Sequence, residues 1–214
     1  MKRVGIFRVM GFLVGSLLAG TTLPVCAASE ENPTVRVSLS QVNREIQILR
    51  KTLSRTIAAL DEVKVAANKN ADLSVPFETF NKFWSDLEAQ TAKVRQHGTA
   101  TRARAKEHWE AWHAEVTGMQ NAKLREKAQK RYAATTKEFE KINEKVADAK
   151  EAFAPLAADL KDIHTYLETD LSRDAVSSLS SSIWKMGAQA HTVDGKLADV
   201  CNQIDRTMKK LPSS

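Results

Sequence analysis

The chain has 214 residues, 43% of them hydrophobic and 27% charged, with a formal net charge of +6. Lys2, Arg3 and Arg8 supply three of those charges, so the rest of the chain carries only about +3, with basic and acidic residues interleaved. So mild a balance excludes a nucleic-acid footprint, and two cysteines, one close to the N-terminus, exclude a fold stapled by disulfides.

The first 28 residues predict a secretory signal peptide. Lys2, Arg3 and Arg8 form a basic region, and Val9 to Val25 is uncharged and apolar. "VCAAS" then places small residues for a cut after Ala27 or Ala28. The apolar run is short for a stable membrane span. Lipid anchoring through Cys26 is the alternative, but Leu23-Pro24-Val25 departs from the small-residue pattern that precedes a lipidated cysteine. If Cys26 leaves with the signal, Cys201 is left alone among apolar positions, which predicts a buried thiol. The expected localisation is exported and periplasmic.

Residues 29–38 read as a linker, and 39–214 as one helical-bundle domain. From Leu39 the apolar positions Leu39, Val42, Ile46, Leu49, Leu53, Leu60 and Val63 alternate in steps of three and four, with Thr56 breaking the set. "NKNADLSVP" interrupts this seam. Ser74 is placed to cap a second helix, and Pro76 suits its first turn. That helix carries Phe80, Trp84, Leu87 and Val94, then "HGTATRARAK", whose small polar residues and Gly98 predict its weakest packing. The stripe resumes at Trp109, Trp112 and Val116. Gly118 then provides a stop and Asn121 a new cap.

A third helix follows the seam Tyr132, Thr135, Phe139, Ile142, Val146, Ala149, Phe153, Leu156, Leu160, Ile163 and Leu167. Pro155 lies inside it and predicts a kink rather than a stop. A fourth helix begins near Ser172 and carries Val176, Leu179, Ile183, Met186, Val193, Leu197, Val200, Ile204 and Met208. "SSLSSS" (177–182) reads as part of that helix. Pro212 follows the last apolar position. The fold class is all-α: an elongated bundle of about four long helices with coiled-coil-like packing.

The candidate chemistry is sparse. His108 and His113 are five residues apart, about 140° around a helix, so they cannot share a metal. His97, His164 and His191 have no partner at ligand spacing. His108 with Trp112, and Trp109 with His113, are spaced to stack. Glu138, Glu140 and Glu144 alternate with Lys137, Lys141 and Lys145 and read as a solvated face. Glu126 with Lys130, and Asp205 with Lys209, are spaced as helical ion pairs. The serine cluster has no nucleophile elbow, and no phosphate-binding loop is present. No catalytic, cofactor-binding or metal-ligating residue is assigned, and an enzyme is not expected. Arg95, Arg102, Arg104 and Lys106 form a basic run without an acidic residue, suited to weak contact with an anionic envelope surface.

One resemblance is carried by the order of several elements. Trp112 precedes Asn121, Leu124 and Arg125. Pro155 follows, then Leu167 and Leu171, then Ala175 and Leu179. This order resembles a bacterial family of secreted proteins known as domain of unknown function 2959, over roughly residues 39 to 208. Glu168 and Asp170 depart from the more basic, amide-rich pattern of that family. The resemblance implies export, and many relatives look like lipoproteins. The family has no established activity to carry over. The function expected is therefore non-enzymatic: a structural or protein-interaction role in the envelope, through protein partners or self-association. A periplasmic chaperone or stress-related binding protein is the alternative.

Overall fold

The computed structural model describes residues 32–211. The signal-peptide and Cys26 readings lie outside these residues. Within them the chain is all-α: α1 (Asn32–Asn68), α2 (Ser74–Gly118), α3 (Ala122–Thr169), a short α4 (Arg173–Ser178) and α5 (Ser180–Lys210). No strand occurs among the described residues. The four long helices have 37, 45, 48 and 31 residues, or about 55, 67, 72 and 46 Å.

Neighbouring helices are antiparallel. Thr56 in α1 meets Phe83 in α2, Glu45 meets Gln90, and Ser38 meets Thr101. Likewise Asp159 in α3 meets Gln189 in α5, and Glu138 meets Lys210. α1 packs along both α2 and α5, α3 packs along α5, and α2 faces α3 across a looser seam. Each predicted stripe faces inward, as the three-and-four spacing requires. Leu39, Leu53, Leu60, Phe80, Leu87, Leu156, Leu160, Met186 and Ile204 are among the most deeply buried side chains. Thr56 does not weaken the α1 seam. Its buried hydroxyl lies 3.0 Å from the carbonyls of Thr52 and Phe83, so its polar atom is satisfied inside the interface.

The connections obey local rules, with three departures from the sequence reading. α1 ends in a Schellman motif: Asn70 sits at φ 53, its N–H bonds Ala67 O, and Ala71 N–H bonds Ala66 O. Asn121 caps α3 as expected, accepting from the backbone of Lys123 and Leu124, and Ser172 caps α4. Ser74, however, does not cap α2. Asp72 Oδ1 instead accepts from the Ser74 N–H at 3.0 Å and from its hydroxyl at 2.5 Å, because a carboxylate is the stronger acceptor.

The second departure is at the N-terminus. α1 already begins at Asn32, inside the stretch read as linker. Val35 and Ser38 are buried there, so the helix has a face to cover before Leu39. The third is in "SSLSSS", which is not one continuous helix. The chain turns at Leu179, whose N–H bonds Val176 O, while Ser178 Oγ takes the Ala175 carbonyl. Serine hydroxyls compete for helix carbonyls in this way. α3, in contrast, continues through Pro155 to Thr169 without a stop.

Candidate functional site

The α2–α3 hairpin is longer than the helices packed on it. Ser38 of α1 lies beside Thr101 and Arg104, so α1 runs out near residue 108 of α2. Lys210, the last residue of α5, reaches Glu138. Beyond these levels, roughly residues 110 to 134 form an arm extending on the order of 15–20 Å past both helix ends among the described residues. Val116 is buried within the arm, whereas Leu124 is exposed.

Aromatic side chains fill the α2–α3 seam at two places. At the bundle end, His164 packs against Phe77, Phe80 and Trp84, with centroids 5.8–6.4 Å away. At the root of the arm, Trp109 meets Phe139 edge-on at 6.1 Å, and Trp112 meets Tyr132 edge-on at 5.3 Å. Such geometries match the quadrupoles of the rings. His108 stacks on Trp112 as its spacing predicted, at 6.0 Å. His113 turns instead to Tyr132, at 5.5 Å, because the partner helix offers a ring on its side.

Between the two aromatic groups lies the small and basic stretch of α2. Part of it packs better than its composition predicts. Thr101 and Ala105 are buried, since small side chains let the first turns of α1 approach. The basic run also divides. Arg95, Arg102 and Lys106 lie within about 40° of one another on the helix, whereas Arg104 points about 160–180° away. Arg104 donates to Ser38 Oγ at 2.9 Å and belongs to the α1 contact. Lys106 pairs with Glu110 at 3.8 Å. No acidic side chain of the described residues lies within ion-pair distance of Arg95 or Arg102.

Arg102 and Lys106 open onto a groove of about 410 Å³ where α2 and α3 diverge, with Trp109 and His113 on the same wall. Tyr132, Thr136, Phe139, Glu140 and Asn143 form the α3 wall. The Trp109 Nε1–H is buried and has no acceptor. A second, more polar cleft of about 620 Å³ lies at the opposite end of the bundle, between the α1–α2 turn and the start of α4. Its polar groups already serve the turns: Asp72 holds Ser74, and Arg173 donates to Asn70 O.

Two charged residues depart from the surface reading. Glu138 is not part of a solvated face. It accepts from Lys210 at 2.8 Å, Lys141 at 2.9 Å and Gln203 at 3.1 Å, joining α3 to α5. Asp205 accepts from Asn43 of α1 at 2.7 Å. Both lie where two helices converge, a position that spacing along one helix does not reveal. Glu126 and Lys130 do pair, at 2.7 Å. Cys201 is buried and free. Among the described residues no three His, Cys, Asp or Glu side chains are grouped to hold a metal, and no helix is long and apolar enough to cross a membrane.

The sequence singled out the α2 wall of the groove but not the α3 wall. Tyr132 and Phe139 were legible only as members of an apolar stripe, and Glu140 as a surface charge. Their seven- and eight-residue spacing gives one face of α3, but not the facing residues of α2. No curated protein and no solved structure matches the chain. The family described as protein of unknown function, DUF2959, matches residues 36–211, which is most of its length. The chain belongs to the DUF2959 family.

Proposed function

We propose that this is an exported, non-enzymatic protein of the bacterial envelope that acts through its helical surfaces, as a structural or interaction element. The observation that carries this reading is the α2–α3 arm, which among the described residues extends past α1 and α5 and keeps Trp112 and Tyr132 only half covered. A self-contained bundle has no need of such an extension, and partly covered aromatic residues are favoured anchors at interfaces. Export is supported by the basic and apolar N-terminal pattern that ends in "VCAAS".

The test is site-specific photo-crosslinking in the intact envelope, with the probe at exposed Ala111 or Gln129 on the arm and, as control, at Glu78 on the bundle. One reproducible partner, or a second copy, joined to the arm sites and not to Glu78 is the expected result. Equal labelling from all three sites overturns the reading. The periplasmic chaperone alternative is favoured by the mainly apolar groove at the root of the arm. It requires that the purified protein suppress aggregation of an unfolded client, and that Trp112→Ser weaken this.

A further inference from the structure

The groove at the root of the arm combines three properties. Its body is aromatic, formed by Trp109, Tyr132 and Phe139. Its rim carries Arg102, with Arg95 two turns further along the same face and neither engaged by a carboxylate of the described residues. Its lining includes Trp109, whose buried Nε1–H has no acceptor, a state that buried donors rarely occupy. Two carboxylates are also present. Glu110 lies 3.8 Å from Lys106 and Glu140 stands on the opposite wall, so the lining itself holds two cations and two carboxylates. Arg95, beyond the lining, adds one further cation on the same side. The volume, about 410 Å³, falls in the range of small-ligand sites, and the groove is open to solvent along its length.

We propose that this groove binds a single-chain amphipathic anion, with its apolar body laid against Trp109, Tyr132 and Phe139 and its acidic head on Arg102. The guanidinium offers a planar fork that matches a carboxylate, sulfonate or phosphate. Arg95 adds long-range attraction, which salt screens. The walls come from two different helices, so the ligand also ties α2 to α3, a pair that packs sparsely.

The test uses the whole exported chain and two probes, 1-anilinonaphthalene-8-sulfonate and laurate. The sulfonate is expected to bind at one saturable site per chain, with quenching of tryptophan fluorescence, and laurate is expected to displace it. Arg102→Gln should weaken binding about tenfold, and Glu140→Gln should tighten it a few-fold. Trp109→Leu should abolish it, while Trp184→Leu, at an exposed position on α5, should leave it unchanged. Circular dichroism and thermal unfolding check the fold of each variant. If Trp109→Leu does not fold, Tyr132→Leu takes its place. Unsaturable binding, or binding that Arg102→Gln and the aromatic variant leave intact, overturns the proposal. So does capture by phosphatidylglycerol vesicles that Arg102→Gln abolishes but saturating laurate does not reduce. That outcome assigns the arginines to a membrane surface instead.

Discussion

Gln90 of α2 reaches into the α1 interface and holds Glu45 twice: its Nε2 lies 2.8 Å from the Glu45 carboxylate and 2.9 Å from the Glu45 carbonyl. Both residues are buried, in a mainly apolar seam. Gln41 supports the other carboxylate oxygen from within α1 at 2.6 Å. A buried carboxylate requires such partners, because its desolvation is otherwise uncompensated. The pair also fixes register, since sliding α2 by one turn would strand both groups. Gln90→Ala should cost about 2–3 kcal/mol in urea unfolding. The double variant Glu45→Met with Gln90→Leu should recover most of that loss. A strictly additive double mutant would disprove the coupling.

The acid limb of stability should belong largely to Glu138. Lys210 and Lys141, with Gln203, hold its carboxyl down to about 2, from an ordinary value of 4.5. A folded-state value below the unfolded one gives stability that is complete above about pH 4.5. That stability drains away as the pH falls toward about 2. Glu138→Gln should therefore reduce stability at pH 7 and flatten its dependence between pH 4.5 and 2. Chemical denaturation at a series of pH values measures both effects. An unchanged slope would remove Glu138 from the explanation.

Arg50 and Asp194 join α1 to α5 by two parallel bonds, Nε to Oδ1 at 2.7 Å and Nη2 to Oδ2 at 2.8 Å. The bond to Arg50 holds the Asp194 carboxyl below its usual range. Both side chains are partly exposed, 26% and 41%, so solvent screens the pair. Asp194→Asn should cost only about 0.5–1 kcal/mol, and less in 1 M salt. A loss above about 2 kcal/mol would show that the pair is better shielded than its exposure implies.

Cys201 should be inert in the folded protein. Burial is the main cause that pushes its thiol up to about 11, with nearby Asp205 and Asp194 adding to the rise and Arg50 opposing it. At pH 8 the thiolate that attacks disulfide reagents is therefore scarce as well as covered. Ellman's reagent should react only at the rate of unfolding and fully in 6 M guanidinium. Prompt reaction of the native protein would contradict the burial. The same property disfavours a disulfide between two copies through Cys201.

The core and the exposed face should respond very differently to truncation. Phe80 of α2 is fully buried beside His164 of α3, and Phe80→Ala should cost about 3–5 kcal/mol. Trp184 is 76% exposed, and Trp184→Ala should stay within about 0.5 kcal/mol. Thermal and urea unfolding of the two variants check the inward and outward assignment of the stripes.

By itself, the sequence determined the secondary structure and most of the core. Leu39 to Val63 and Phe139 to Leu167 follow the helical repeat, which is a property of one helix and needs no partner to be read. The stop at Gly118 and the caps at Asn121 and Ser172 are local in the same sense, because each involves hydrogen bonds within a few residues. Tertiary structure decided everything that depends on which helix lies opposite. It turned Glu138 from a surface charge into the junction of α3 and α5, and drew Asp205 to Asn43. It sent Arg104 to Ser38 and left Arg95 and Arg102 on the other face. It also put Tyr132 and Phe139 across from Trp109 and Trp112, making a groove from two stripes that each looked like ordinary core. The physical reason is range. Periodicity and capping act over one or two turns, whereas the register between antiparallel helices is fixed only when distant side chains meet.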